Sequence, residues 1–263
     1  MPTVDLSVSI VLYRTYDSVL ALMESIEKYT PDSLKKKIFI IDNSSLPDGE
    51  PGKADFISSI ANYSDAEYID AGSNIGFGAG HNLVLPRLES RYHAIVNPDI
   101  LLCEDAFSKI ISYMDSDPDI GMCIPRLLDE SGSLQPVYRR ELTVSDMFIR
   151  MFIKKGFQKR KAYHTMQDMD YSKPFPVPFG QGSFLVIRTE LFAKLDGFDE
   201  RFFLYMEDAD LCKRVNKVSG LMYYPGARVI HKWEKGSHKS PKLFFTHVRS
   251  MIKYFRKWSG SQM

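Results

Sequence analysis

The stretch VSIVLYRTYDSVLALMESIEKYTPDSLKKKIFIIDNSS, residues Val8–Ser45, reads as a strand, a helix, a second strand and a polar stop. Val8–Tyr13 is an apolar run of strand length. In Ser18–Tyr29 the apolar residues Val19, Leu22, Met23 and Ile26 recur at helical spacing, and Pro31 ends that helix. Ile38–Ile41 is a second buried-type strand, closed by Asp42-Asn43-Ser44-Ser45. The same rhythm continues outward. A helix is expected over Ala54–Tyr63, a short strand at Glu67–Ile69, a glycine-rich loop at Gly72–Gly80 and a helix over His81–Glu89. Strand His93–Val96 ends in Asn97-Pro98-Asp99, and helix Glu104–Asp115 and strand Gly121–Ile124 complete this half. Apolar strands alternating with helices predict an α/β fold with a mostly parallel sheet covered on both faces. Such sheets bind ligands beyond the carboxyl ends of their strands, where the polar clusters at Asp42, Asn74–Asn82 and Asn97–Asp99 should converge.

The second half is less regular. Residues Glu141–Pro178 interleave Arg150, Lys154, Lys155, Lys159, Arg160 and Lys161 with Met147, Phe148, Met151, Phe152, Ile153 and Phe157. A globular pattern resumes with strand Ser183–Ile187, helix Glu190–Leu195, helix Glu207–Val218 and strands near Met222–Tyr224 and Arg228–Ile230. After Glu234 the chain has no acid; Lys235, Lys239, Lys242, Arg249, Lys253, Arg256 and Lys257 stand among large apolar residues.

Composition narrows the classes. The 263 residues are 44% hydrophobic and 25% charged, as in an ordinary globular protein. Lys+Arg 34 against Asp+Glu 33 leaves no overall basic field, and no nucleic-acid partner is expected. Cys103, Cys123 and Cys212 are too scattered for a disulfide framework or zinc site and read as thiols of a reducing compartment. Asp5 and no cation precede the first apolar run, and no apolar stretch approaches the ~20 residues of a membrane span, so a cytoplasmic protein is expected.

Each rim cluster has a chemical and a plainer reading. Asp42 can accept the imide N–H of uracil or thymine, or can cap its own turn. Around Gly76, flanked by Asn74 and Asn82, the backbone can approach a phosphate or sugar; the G-x-G-x-G spacing after the third strand is not the dinucleotide-binding G-x-G-x-x-G. Asn97-Pro98-Asp99 offers one carboxylate for a cation, or a turn. Glu207-Asp208-Ala209-Asp210 offers a general base, or complements a helix dipole. His231 ends a strand as a metal ligand or a hydrogen-bonded structural residue.

Together these residues resemble the inverting glycosyltransferases of family 2, which have the GT-A fold. The most specific segment is GQGSFLVIRTELFAKLDGFDERFFLYMEDADLCKR (Gly180–Arg214). With the NIGFGAGHN loop it is similar to the rhamnosyltransferase branch that builds bacterial cell-surface polysaccharide such as O-antigen. The resemblance implies Asp208 as catalytic base and Asp42, Asn74, Gly76, Asn82, Asn97 and Asp99 as donor-binding residues. It implies Gly182, Ser183 and Glu207 on the acceptor side, and Asp99 and His231 as ligands of Mg²⁺ or Mn²⁺. Asn97 departs from the family's D-x-D pattern; its amide brings no charge, which lowers the expected metal affinity. The implied donor is dTDP-rhamnose, with a UDP-sugar as runner-up, and the implied acceptor a polyprenyl-diphosphate-linked glycan. A non-catalytic nucleotide-sugar-binding subunit is the alternative class. Residues 1–234 would form the catalytic domain, with 1–125 binding nucleotide-sugar and 126–234 binding acceptor, followed by a basic amphipathic segment 235–263. In Lys242–Trp258 an apolar stripe with cations beside it suits an anionic membrane surface, placing the protein peripherally on the inner face of the cell membrane, or suits packing on the domain.

Overall fold

The computed structural model describes residues 4–47, 50–153, 156–232 and 241–259. Lys154, Lys155, Lys235 and Lys239 of the basic stretches lie outside them, as do the side chains of Arg150, Met151 and Phe152. The elements run β1 (Val4–Leu12), α1 (Tyr16–Tyr29), β2 (Lys36–Asp42), α2 (Pro51–Ile60), β3 (Ala66–Asp70), α3 (Phe77–Asn82), β4 (Ser90–Val96), β5 (Ile100–Leu102), α4 (Ala106–Asp115) and β6 (Ile120–Leu128). They continue with β7 (Tyr138–Arg139), α5 (Val144–Phe152), α6 (Gln158–His164), β8 (Phe175–Pro176), β9 (Phe179–Gly180), β10 (Phe184–Arg188), α7 (Thr189–Lys194), α8 (Glu207–Asn216), β11 (Gly220–His231) and α9 (Pro241–Ser259).

The main sheet has the order β3-β2-β1-β4-β10-β6-β11-β5, with β8 added on β11. Strands β3, β2, β1 and β4 are parallel, as their apolar runs predict. The departure is β10, which runs antiparallel to both β4 and β6. It carries the Gly180–Arg214 segment into the middle of the sheet, so a loop from the second half opens beside the carboxyl end of β4. Strand β5 was not expected; it pairs antiparallel with β11 directly after Asp99. The two strands expected near Met222 and Arg228 are one strand, β11, whose register against β6 shifts between Tyr224 and Arg228. Pro225 and Gly226 fall in that shift, which absorbs a residue that cannot donate to the ladder.

The helix expected over His81–Glu89 starts earlier, at Phe77, and ends at Asn82, with a separate 3₁₀ turn at Leu85–Arg87 that contains Pro86. Gly76 sets this start. It has φ +99°, and a Cβ there would lie 2.4 Å from the Phe203 carbonyl oxygen. His81 pins the helix beneath the sheet: its Nδ1 is 2.6 Å from Ser9 Oγ, and Ser9 Oγ is 2.9 Å from His93 Nε2. Burial pushes the His93 imidazole down to about 3, so this buried polar ladder is neutral.

The C-terminal helix packs on the same core through buried Tyr254, with Met251, Phe255 and Trp258 beside it. Lys257 Nζ reaches Asp199 at 2.7 Å and Asp210 at 2.6 Å, and Trp258 Nε1 donates to Asp210 Oδ1 at 3.0 Å. Ser250 Oγ donates to the Leu204 carbonyl at 2.8 Å. Helix α9 thereby braces the loop that leads into α8. Its other side exposes Phe245 (70%) and Ile252 (46%) with Lys242, Arg249 and Arg256. No helix among the described residues is long and apolar enough to cross a membrane.

Candidate active site

Asp42 ends β2 and is buried. Its Oδ1 accepts from Ser44 N at 2.7 Å, and its Oδ2 accepts from the hydroxyls of Tyr16 at 2.9 Å and Tyr68 at 2.8 Å. The turn-capping and ligand readings of Asp42 are therefore compatible, since one lone pair of Oδ1 is left over. Neither tyrosine could be paired with it from sequence, because they come from α1 and β3. Burial, with the Asp42 hydrogen bond and charge, pushes the Tyr68 phenol far above its ordinary value, so it stays a donor to the carboxylate.

Asn74 Oδ1 accepts from Gly76 N at 3.1 Å, closing a turn, and Gly76 O accepts from Asn43 Nδ2 at 2.9 Å. That leaves Asn43 Oδ1 buried without a partner. Sequence reasoning had passed over Asn43; its place beside Asp42 after a strand was the available signal. Asn82 is committed to the scaffold. Its Oδ1 accepts from Phe198 N at 2.8 Å, and its Nδ2 donates to Phe198 O at 2.8 Å and Glu200 Oε1 at 3.0 Å.

Beyond β4, Asn97 N donates to Ser183 O at 2.9 Å, and Lys232 N donates to Asp99 O at 2.9 Å. These bonds bring the start of β10 and the end of β11 to one corner. There His231 Nε2 lies 3.3 Å from Asp99 Oδ2. On its other side, His231 Nδ1 is 2.8 Å from Gln135 Oε1. Among the described residues, Asn97 Oδ1, Asp99 Oδ1 and Ser183 Oγ are buried with no hydrogen-bond partner, and the Asn97–Ser183 backbone bond ties two of these residues together.

The acid pair reaches the same corner. Gly182 N donates to Asp208 Oδ2 at 3.1 Å, and Ala209 N donates to Asp208 Oδ1 at 2.8 Å. A Cβ on Gly182 would lie 3.0 Å from Asp208 Cβ, so any side chain there would crowd Asp208. Tyr205 and Met206 both hold positive φ, 68° and 73°, immediately before α8. Such backbone costs of order 1–3 kcal/mol per residue and persists only when its surroundings fix it. Here Phe77 N donates to Phe203 O at 3.0 Å, and Ser250 and Lys257 of α9 hold the flanks. Glu207 is buried, with Oε2 unpartnered. Burial first, and the Asp208 charge second, push its carboxyl well above the usual carboxylate range. Burial thus favours the neutral form of Glu207 beside Asp208.

A model of the family described as "Glycosyl transferase family 2" matches residues 7–196. The N-acetylglucosaminyl-diphospho-decaprenol L-rhamnosyltransferase of Mycobacterium tuberculosis is 26% identical over 218 residues, covering 78% of this chain and 69% of its own. Rhamnosyltransferase WbbL of Escherichia coli K12 is 28% identical over 208 residues, covering 74% of this chain and 75% of its own. Among solved structures, GalNAc-T7 with UDP, GalNAc and Mn²⁺ superposes with a TM-score of 0.67 at 15% identity, over 97% of this chain and 48% of that one. The fold expected from the resemblance is the fold observed, a GT-A α/β architecture. With the family model spanning most of it, the chain belongs to glycosyl transferase family 2 and is a glycosyltransferase.

Proposed function

We propose that this protein transfers L-rhamnose from dTDP-rhamnose, with inversion at the anomeric carbon, to a polyprenyl-diphosphate-linked glycan during cell-surface polysaccharide synthesis. The names of the two rhamnosyltransferase relatives support the sugar, and the decaprenol-diphosphate acceptor of one of them supports the lipid link. One observation carries the catalytic part. The backbone path from Asn97 through Ser183 and Gly182 to Asp208, with the Asp99–His231 pair just beyond Asn97, supports reading Asp208 as the base on the acceptor side.

In this reading Asp42 accepts the imide N–H of thymine, while Asn43 and the turn at Asn74–Gly76 face the nucleotide. Asp208 takes the proton of the attacking hydroxyl as the new C–O bond forms and the bond to the diphosphate breaks. General-base assistance of this kind is worth roughly 10²–10⁴-fold. Asp99 Oδ2, His231 Nε2 and the unpartnered oxygens of Asn97 and Asp99 form an N/O donor set suited to Mg²⁺ or Mn²⁺. When bound, the ion would offset charge on the departing diphosphate. Calorimetric titration with dTDP-, UDP- and GDP-sugars, with and without Mn²⁺, tests the donor. Tightest binding of dTDP-rhamnose in the presence of Mn²⁺ is expected. Preference for a UDP-sugar would move the reading to the related donor class, and binding without turnover to a nucleotide-sugar-binding subunit.

A lipid-linked acceptor calls for a lipid-facing surface, and the exposed Phe245, Ile252, Lys242, Arg249 and Arg256 of α9 have that chemistry. In flotation, the protein is expected to rise with vesicles containing anionic lipid and not with neutral ones. Arg249→Glu/Arg256→Glu should abolish the difference; equal behaviour on both vesicle types would contradict a membrane role for α9.

A further inference from the structure

The first turn of α8 carries Asp208, and its cap residue is Met206, whose thioether offers no capping oxygen. Met206 and Tyr205 before it both hold positive φ. The turn closes where Asp210 N donates to Met206 O at 2.9 Å. The Asp210 side chain is fully buried, so its carboxyl group needs partners. Arg214 Nε donates to its Oδ2 at 2.8 Å, Trp258 Nε1 donates to its Oδ1 at 3.0 Å, and Lys257 Nζ lies 2.6 Å from that same Oδ1.

Two of these three partners come from α9, more than forty residues further along the chain. Arg214 ties Asp210 to the carbonyls of Leu195 and Gly197, while Lys257 ties it to Asp199, whose Oδ2 is 2.7 Å from Nζ and is also paired with Arg201. Arg201, Asp199, Lys257, Asp210 and Arg214 thus alternate in sign along one chain of contacts. Helix α9 meets the same segment at three further points. Lys253 Nζ donates to Arg201 O, Ser250 Oγ donates to Leu204 O at 2.8 Å, and the rings of His247 and Tyr205 lie 4.6 Å apart. On its other side the segment meets the glycine loop through Phe77 N and Phe203 O. Residues 199–210 therefore lie between that loop and α9, with Asp208 near their end.

We infer that Lys257, assisted by Trp258, is a positioning residue for the transfer step: by joining Asp199 to Asp210 it fixes the first turn of α8 and so the place of Asp208 in the crevice. The inference rests on the reading of Asp208 as the base. Lys257 acts through Asp210 and is given no contact with donor or acceptor.

The test compares full-length Lys257→Met, Lys257→Arg, Asp208→Asn and the Lys257→Met/Asp208→Asn double variant, each below its own melting temperature. The substrates are dTDP-rhamnose and a polyprenyl-diphosphate N-acetylglucosamine. Lys257→Met is expected to lower kcat by about 10–100-fold, the size of effect a misplaced group produces, with calorimetric donor affinity within about twofold of wild type. Lys257→Arg keeps the charge and should recover most of kcat. Added to Asp208→Asn, Lys257→Met should cost less than about threefold more, because the base it places is already gone. Backbone hydrogen exchange at residues 206–211 should quicken by at least about tenfold in Lys257→Met while β1 and β2 keep their protection. The role of Lys257 is overturned by a lowered melting temperature with unchanged kcat, by equal losses in the Met and Arg variants, by losses that multiply in full in the double variant, or by faster exchange spread evenly over the sheet. Wild-type kcat in Asp208→Asn would instead overturn the base reading. If the wild type does not turn over this substrate pair, the exchange pattern decides alone. Should Lys257→Met fail to fold, Trp258→Phe, which removes the indole N–H, takes its place: kcat about 3–10-fold lower at unchanged donor affinity supports the inference, and unchanged kcat overturns it.

Discussion

Asp208→Asn is expected to lower kcat by at least 10²-fold while changing the dissociation constant of the nucleotide-sugar by less than about twofold, the size of a general-base contribution. The geometry separates the two quantities. Asp208 is held by the backbone N–H groups of Gly182 and Ala209, on the side of β10 and α8, whereas Asp42 is held by Ser44, Tyr16 and Tyr68. Asparagine matches aspartate in shape and keeps one carbonyl oxygen to accept from one of them while its NH₂ faces the other; the loop from Phe203 to Glu207 is still held by Phe77 N to Phe203 O and Ser250 Oγ to Leu204 O. What is lost is the second acceptor oxygen, and with it a base able to take the hydroxyl proton. At roughly 1.4 kcal/mol per factor of ten, the loss corresponds to 3–5 kcal/mol of barrier. Turnover and calorimetric donor binding on one preparation decide it. Parallel loss of both would make Asp208 a scaffold residue that orders the Gly182 loop.

The second large effect is at Asp99. Asp99→Asn is expected to lower Mn²⁺-supported kcat by about 10²–10³-fold, the range seen when one transition-state-stabilising group is removed. Asn97, Asp99 and His231 together bring a single carboxylate, because the position before Pro98 is already an amide. Removing that charge leaves a site of two amides and an imidazole against a charged diphosphate. Local structure should survive, because Lys232 N and Ile100 N bond to the backbone carbonyls of Asp99 and Asn97, not to their side chains. Titration of activity with Mn²⁺ is the readout. The variant should need much more metal for half-maximal rate, and an identical metal dependence would contradict the assignment.

The buried strands were legible because period and length suffice for them: Val8–Tyr13, Ile38–Ile41 and His93–Val96 became β1, β2 and β4, with Asp42 and Asn97 at or just beyond their carboxyl ends. Local pattern could not show which strands become neighbours. The antiparallel insertion of β10 between β4 and β6 is a long-range choice, and only it brings Gly182 and Asp208 to Asn97. Strand β5 is three residues long and has no periodicity of its own; it exists because β11 offers an edge after Asp99. Helix starts were misplaced where tertiary contact decided them, as at Gly76 against Phe203. The residues missed at the site share one property. Tyr16, Tyr68 and Gln135 contact a candidate residue from elements whose proximity only folding creates, and each is an ordinary residue in its own stretch; Asn43, beside Asp42, meets Gly76 in the same way. The αL pair Tyr205–Met206 was also invisible, since neither residue type favours that backbone and α9 has to brace it.

The claim beneath all of this is a single direct displacement at one crevice. Nuclear magnetic resonance of the glycan made by the purified protein from dTDP-β-L-rhamnose and a polyprenyl-diphosphate N-acetylglucosamine acceptor, with Mn²⁺, tests it most directly. A new rhamnosyl linkage of α configuration, opposite to the donor, is the predicted product. A β-linked product would keep the donor's configuration, which a single inverting displacement cannot give, and would contradict the account.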